Sequence, residues 1–467
     1  MKRRTKIVAT MGPAVSSPEA IANLKEAGMN VARLNCSHGD WEQKREFIRW
    51  IRELHDGMSP IAVMADLQGP KFRINDVEGG AINLLTGSTI TMGHGHGAAI
   101  PLKDDQIYAA MKKGDRVLFG DGEVEVKLGG CTNGVFEAKV SAGGKVKSRQ
   151  GLTLVGKSFD VPCLTEKDLA DIAEAAQYGA DFIALSYVRR GDDMRHLRSI
   201  VDSYDPSIRL VAKVETREAL RELDDVIEAS DVVMVARGDL GLQMDLEDVP
   251  LAQKRIIRKC HLAGKPVITA TQMLESMIVN ARPTRAEVSD IANAILDGTD
   301  AVMLSGETAS GTYPVEAVRT MARVAEKSEV LVHTRTFMDD PEERPTHNDP
   351  TEAVALAAVT IANSLKVKAI LTMSESGFTP KMVAKYRPKV PIYCASWNPK
   401  TQVQNAVVWG VQSLNMPPTS NTDEAVSFLI EGFKRRKLVK AGDRVVVTAG
   451  IPPGTIGNTN MVLVKTV

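Results

Sequence analysis

An α/β fold is the architecture this sequence predicts: a (β/α)8 TIM barrel with an inserted small all-β lid domain and a C-terminal open α/β domain. Three observations carry it. Short β-branched apolar runs alternate with longer amphipathic stretches about eight times, a segment of different composition interrupts them once, and an acidic, proline-bearing stretch sets off the C-terminal part. The chain has 467 residues, too many for one core, because single cores stop growing at roughly 250 to 300 residues.

The expected barrel strands are Lys6 to Thr10, Asn30 to Leu34, Ile61 to Asp66, Phe182 to Ser186, Leu210 to Val214, Val232 to Ala236, Pro266 to Ala270 and Ala301 to Leu304. They are apolar almost throughout, as strands covered on both faces are. Helix-like segments such as Glu166 to Tyr178 and Pro250 to Ala263 lie between most of them. After Asp66 no helix is expected until about Leu164. The intervening residues are rich in Gly, Val, Thr and Lys, with hairpin signals at Asp121-Gly122, Asn133-Gly134 and Gly143-Gly144, which reads as a β module able to act as a lid. Beyond the eighth strand a helical stretch runs to about Thr334, and MDDPEERPTHNDP reads as a linker. A helix from Thr351 to Ser364 then leads into strands near Ala369 to Thr372, Ile392 to Ala395 and Asp443 to Thr448. The expected boundaries are 1–69 and 163–337 for the barrel, 70–162 for the lid, 338–350 for the linker and 351–467 for the last domain.

Composition narrows the function. Lys plus Arg and Asp plus Glu are both 58, so the net charge is zero and nothing advertises a nucleic-acid backbone or an anionic membrane. No apolar run approaches the roughly 20 residues of a membrane-spanning helix. The start, MKRRTKIVATMGPAV, reads as a first strand, since Gly12 and Pro13 break its apolar run. The five cysteines are scattered, with no CxxC pair, which suits buried thiols in a reducing cytoplasm.

Reactive residues of such barrels lie at the C-terminal ends of the strands, where the following loops converge. Here those ends carry Arg33 through His38, Asp66, Ser186, Lys213 to Glu215, Arg237 to Asp239, Thr271, and Ser305 to Glu307. Glu215 and Asp239 are oxygen ligands suited to Mg²⁺. Arg33 and Lys213 offer positive charge where a transferring phosphoryl group would need it. The turn from Ala236 to Asp239 offers backbone N–H groups to a carboxylate. Together they suggest a small phosphorylated carboxylic acid as substrate. Two strings elsewhere match well-known phosphate motifs without their context. Gly151 to Ser158 fits the P-loop pattern, but it is strand-like and Pro162 blocks a following helix. Gly93 to Ala98 fits the dinucleotide fingerprint, but Pro101 leaves no room for a crossover helix, and a polar hairpin is expected. His94 and His96 within it read as surface histidines for want of a third ligand.

Five segments carry a family resemblance: RLNCSHG from Arg33, AKVETREAL from Ala212, MVARGDLG from Met234, TATQMLESM from Thr269, and PTRAEVSDIANAILDGTDAVMLSGETASGTYP from Pro283. In the right order and over nearly the whole chain, they closely resemble pyruvate kinases. The resemblance implies transfer of the phosphoryl group of phosphoenolpyruvate to MgADP, giving ATP and enolpyruvate that is then protonated to pyruvate, the last step of glycolysis. It implies Lys213 and Arg33 as the cations at the phosphoryl group and Glu215 and Asp239 as Mg²⁺ (or Mn²⁺) ligands. It further implies Gly238 and Asp239 at the substrate carboxylate and Thr271 near the enol carbon. Arg73, His38 and the lid residue Asp121 resemble nucleotide-side residues. A cytoplasmic homotetramer activated by a phosphorylated metabolite is the family's usual form.

Three departures from the common family pattern stand out. Where an Asp-Thr-Lys-Gly-Pro-Glu run is usual, this chain has Asp66-Leu67-Gln68-Gly69-Pro70-Lys71. Asn35, Ser37 and Asp66 of the potassium position are kept, Leu67 replaces the threonine, and Lys71 resembles the branch that works without potassium. Gln150 replaces a nucleotide-side lysine, with Arg149 beside it as a substitute cation. Finally, Thr372, Ser374, Ser376, Gly377 and Thr379 resemble the family's effector phosphate loop, although Glu375 is an odd neighbour for a dianion. The competing readings are a Mg²⁺-dependent barrel lyase or aldolase acting on pyruvate-like enolates, and an inactive phosphometabolite sensor.

Overall fold

The computed structural model describes residues 3–54, 60–94, 97–102, 105–120, 122–157, 159, 161–332, 350–418, 421–451 and 459–467. Eight parallel strands close into a barrel: Lys6–Thr10, Val31–Asn35, Ala62–Asp66, Phe182–Leu185, Arg209–Val214, Val232–Ala236, Val267–Ala270 and Ala301–Leu304. Each pairs with its neighbours in sequence, and the first closes on the eighth through Lys6 opposite Ala301 and Ala9 opposite Leu304. These are the eight expected strands, shifted by at most one residue at an end.

Alternation along each strand, two residues to the repeat, decides what reaches the site. Val31, Met64, Ala184 and Val211 belong to one buried cluster, while Ala32, Leu34, Val63, Ala65, Ile183 and Ala212 pack with the surrounding helices. Counting two residues on from the first set gives Arg33, Asp66, Ser186 and Lys213. These four polar groups therefore share the inner face at the C-terminal end of adjacent strands two to five. Two of the covering helices begin at reciprocal capping boxes, Thr165 with Asp168 and Thr284 with Glu287, which satisfy N–H groups that helix starts leave free.

The insertion has its own hydrophobic cluster, around Met92, Phe119, Val126, Val140 and Leu152. A six-stranded sheet runs in the order Leu152–Leu154, Arg116–Phe119, Val124–Thr132, Val135–Ala142, Thr89–Gly93, Ile100–Pro101, beside a two-stranded sheet of Ala81–Leu84 and Gly144–Lys147. Asn133 and Gly134 both adopt positive φ, 51° and 82°, as a two-residue hairpin turn requires. Three expectations need correction. A helix, Asp105–Ala110, lies within the module; six residues are too few to show a helical period in sequence. Gly143-Gly144 is no hairpin: the strand after it pairs with Ala81–Leu84 in the other sheet. Nor do the strands flanking the 94–99 segment form a hairpin, because Thr89–Gly93 and Ile100–Pro101 pair in parallel, with Pro101 on the sheet edge, where its missing N–H costs no ladder bond. His96 lies outside the described residues. The P-loop string contains strand Leu152–Leu154, paired antiparallel with Arg116–Phe119, and no helix follows among its described residues.

Helix Pro314–Val332 closes the barrel, and of the expected linker only Pro350 is described, as the first residue of helix Pro350–Ser364. The C-terminal sheet has five strands in the order Val411–Asn415, Ile392–Ser396, Ala369–Met373, Arg444–Ala449, Met461–Thr466, the last antiparallel. The first and last of that order went unread in the sequence. Both are edge strands, and Met461–Thr466 is largely exposed, so it lacks a buried strand's apolar pattern. Among the described residues no helix is long and apolar enough to cross a membrane.

Candidate active site

Lys213, at the end of the fifth strand, is the centre of the barrel mouth. Its ammonium lies 2.8 Å from Glu215 Oε1, 3.2 Å from Asp66 Oδ1 and 2.7 Å from Ser186 Oγ. Ser186 Oγ in turn donates to Leu67 O at 2.7 Å. Asp66 is buried and receives Arg33 Nε on its other oxygen at 2.6 Å, and Arg33 Nη1 also donates to Thr10 Oγ1. Two cations thus bracket one carboxylate.

Burial alone would push the Lys213 pKa down, but the carboxylates of Asp66, Glu215 and Asp239 outweigh it and hold the group above the usual lysine value. Glu215 goes the other way for a carboxylate: burial raises its pKa, Lys213 opposes this and Asp239 adds to it. Asp66 is held below the usual range, because Lys213 and Arg33 together exceed the cost of burial. The pattern is a fixed positive charge with two acidic groups beside an open cleft.

That cleft, of about 390 Å³, runs between the barrel mouth and the inserted module and is lined by Lys213, Glu215 and Asp239 on one side and by His38, Lys71 and Arg73 on another. His38 sits below the ordinary histidine pKa, through burial and then the field of Lys71, Arg33, Arg73 and Lys44; the rim is cationic. Arg73 Nη1 donates to Arg149 O at 3.0 Å. Arg149 itself pairs with Asp76 through two 3.0 Å bonds and is not part of the cleft lining, so the expected substitution for the missing lysine is not made in this arrangement. Gln150 is turned onto its own loop, accepting from Lys147 N at 2.7 Å. Asp121 lies outside the described residues.

The loop after the seventh strand holds Thr271 and Gln272 at φ 67° and 52°, a left-handed conformation that β-branched side chains rarely adopt. Arg237, buried at the end of the sixth strand, donates to Ala270 O, Thr271 O and Gln272 O and pairs with Asp290 at 2.7 Å. Thr271 Oγ1 accepts from Gly238 N at 2.7 Å. Thr271 and Gly238 are therefore brought together, beside but not among the residues lining the cleft.

Among the described residues no group of three or more His, Cys, Asp and Glu side chains forms a metal cage. Glu215 and Asp239 nonetheless suit a hard divalent ion, since Mg²⁺ takes most of its shell from water and substrate. Glu215 Oε1 is buried without a hydrogen bond of proper geometry. At the potassium position, Asn35 Oδ1 accepts from Ser37 N, both Asp66 oxygens face cations, and Leu67 is buried and has no hydroxyl. In the C-terminal domain Thr372, Ser374 and Thr379 are buried. Thr379 Oγ1 lies 2.8 Å from Thr459 Oγ1, while Gly377, φ 76°, precedes helix Phe378–Lys385 and Ser376 O accepts from Arg209.

The apolar pattern ends the fourth strand at Ser186 and gives Tyr187 no role. Nothing in the string marks that residue, whose importance comes from a φ of 58° and from contacts with distant segments.

A closed parallel barrel with its charged groups gathered at the strand ends beneath an inserted β module is the arrangement of a barrel enzyme. Comparison with known proteins is more specific. Residues 2–318 match the family description "Pyruvate kinase, barrel domain" and residues 352–465 "Pyruvate kinase, alpha/beta domain". A pyruvate kinase of Geobacillus stearothermophilus is 43% identical over 475 residues, spanning 100% of this chain and 81% of its own. One of Agrobacterium vitis is 41% identical, spanning 98% and 97%. The chain belongs to the pyruvate kinase family, a family of phosphotransferases.

Proposed function

We propose that this chain transfers the phosphoryl group of phosphoenolpyruvate to ADP, forming ATP and pyruvate. The observation that carries the reading is the buried, permanently charged Lys213 held between Asp66 and Glu215 on the wall of an open cleft. A loose phosphoryl-transfer transition state asks the protein mainly for position and fixed charge. Lys213, with Arg33 behind it, meets the phosphoryl oxygens. The turn of Gly238 and Asp239 orients the substrate carboxylate from the Asp239 side of the cleft, the Gly238 N–H being held by Thr271 Oγ1. As the C–O–P bridge breaks at the O–P bond, the β-phosphate oxygen of ADP takes the phosphoryl group, and the enolate left behind accepts a proton from water at its terminal carbon on the side of Thr271. His38 and Arg73, with the lid's Asp121, attend the nucleotide. Glu215 and Asp239 would hold Mg²⁺ or Mn²⁺, which when bound supplies Lewis-acid stabilisation of the phosphoryl and enolate oxygens. A closed lid excludes the water that would otherwise capture the phosphoryl group.

Potassium independence is part of this reading. With Arg33 and Lys213 already on Asp66, and with the Lys71 ammonium at the cleft, the positive charge that potassium would bring is covalently present. We further assign the loop of Thr372, Ser374, Ser376, Gly377 and Thr379 to a phosphorylated effector, the native assembly to a homotetramer, and its location to the cytoplasm. The test is pyruvate formation from phosphoenolpyruvate and MgADP in potassium-free buffer and again with potassium. Turnover in both supports the catalytic reading and the Lys71 argument, turnover only with potassium removes the Lys71 argument, and none in either, with sugar phosphates and nucleoside monophosphates added as effectors, sinks the assignment.

A further inference from the structure

Directly after the fourth strand, residues 186–189 touch both chain segments that join the lid to the barrel. On the outgoing segment, Gly69 (φ 67°) passes so close to Ser186 that a Cβ there would lie 3.0 Å from the Ser186 Cβ. Three residues on, the ring of Phe72 meets Tyr187 edge-on at 6.4 Å and Phe159 of the returning segment at 4.7 Å. Arg189, buried, donates to Phe159 O at 2.6 Å and Val161 O at 2.8 Å. Tyr187 is a barrel residue, yet its ring packs against the lid's own hydrophobic cluster.

Three of these residues, Ser186, Tyr187 and Val188, face inward as well. Ser186 Oγ receives Lys213, Val188 O accepts from Thr216 Oγ1 at 2.9 Å, and Tyr187 N–H donates to Glu215 Oε2 at 3.0 Å. Tyr187 does this from a φ of 58°, which a bulky side chain keeps only when its surroundings hold it there. The surroundings here include Phe72 and the Arg189 guanidinium at the ring and the Glu215 carboxylate at the backbone. If the ring loses its seat, the backbone is free to relax, and the N–H leaves Glu215.

We propose that Tyr187 is a positioning residue that ties the seating of the lid hinge to the orientation of the Glu215 carboxylate. This rests on the reading of Glu215 as a metal-holding group. Partners that orient a ligand carboxylate typically change metal affinity by about 10- to 100-fold when removed.

The test is direct Mn²⁺ binding to the full-length, nucleotide-free protein by electron paramagnetic resonance, with urea unfolding alongside. Tyr187→Leu is expected to weaken Mn²⁺ about tenfold, Tyr187→Phe to stay within about twofold of the parent, and Phe72→Leu to weaken it in the same direction as Tyr187→Leu. Unchanged affinity in the two leucine variants overturns the proposal, and so does an equal loss in Tyr187→Phe, which keeps the ring. Should Tyr187→Leu fail to fold, Phe72→Leu against Tyr187→Phe decides. Glu215→Gln is the separate control: normal Mn²⁺ binding in that variant would remove the reading of Glu215, whatever the Tyr187 variants do.

Discussion

Lys213 keeps its charge where burial alone would take it away, and it does so because three carboxylates surround it. A methionine of similar length fills the same space without that charge. Lys213→Met is therefore expected to lower kcat by about a thousandfold or more, with Arg33 still paired to Asp66 and the far-ultraviolet circular dichroism unchanged. Turnover within tenfold of the parent would show that the ammonium has no part in stabilising the phosphoryl group. The same reasoning separates Lys213 from Lys71. The first is fixed by an ion pair on each side, whereas the second lines the open cleft, where a cation can meet solvent, substrate or nucleotide.

Loops carry the next level of organisation. The turn after the seventh strand stores backbone strain at Thr271 and Gln272, of the order of 1–3 kcal/mol for each residue held in such a region. Arg237 bonds three successive carbonyls of that turn, and its planar fork suits the task as a point-like ammonium does not. Arg237→Lys is expected to let the turn relax, lowering kcat by at least about tenfold through displacement of Thr271. Unfolding in urea should register a loss of about 1–3 kcal/mol. An unchanged kcat, with stability lowered, would make Arg237 a purely structural residue. The segment 186–189 works on the same principle between the lid and the mouth, with the aromatic packing of Tyr187 beside the carbonyl bonds of the Arg189 guanidinium.

Barrel and C-terminal domain are joined across the far end of the strands by buried charge. Arg387 pairs with Asp300 at 3.0 Å with both side chains buried, stacks over Trp409, and lies 2.6 Å from His261 Nε2. Burial, and then the Arg387 guanidinium, push the His261 pKa down to about 3. The ring is therefore neutral in the folded protein at pH 5 but takes up a proton on unfolding, since its unfolded value is near 6.5. Its contribution is fully present above pH 6.5 and is lost as pH falls from there toward 3, at about 1.4 kcal/mol per pH unit for one proton. Urea unfolding of the parent and of His261→Gln between pH 7 and pH 4.5 measures this, and the variant should lose about one proton's worth of slope. Equal slopes would mean that His261 is solvated or charged in the folded state.

The barrel was legible from the string because its strands are apolar on both faces, and the runs at Val232 to Ala236 and Ala301 to Leu304 have no solvent-facing residue to disguise them. Strand ends were legible for the same reason, so Arg33, Asp66, Lys213 and Glu215 could be named as neighbours before any coordinate was known. Edge strands such as Met461–Thr466 and the short lid helix Asp105–Ala110 were not, because exposure and shortness erase the period that reveals an element. What local pattern cannot carry is contact between segments far apart in the chain. That Arg149 turns to Asp76 follows from how the inserted module folds on itself, and that Arg237 grips the Thr271 turn and Tyr187 touches both the lid hinge and Glu215 follows from where the closed barrel brings those segments. The side chains were in the sequence from the start, whereas their partners were set only when the chain closed on itself, since hydrogen bonds and ion pairs act over a few ångströms and not along the chain.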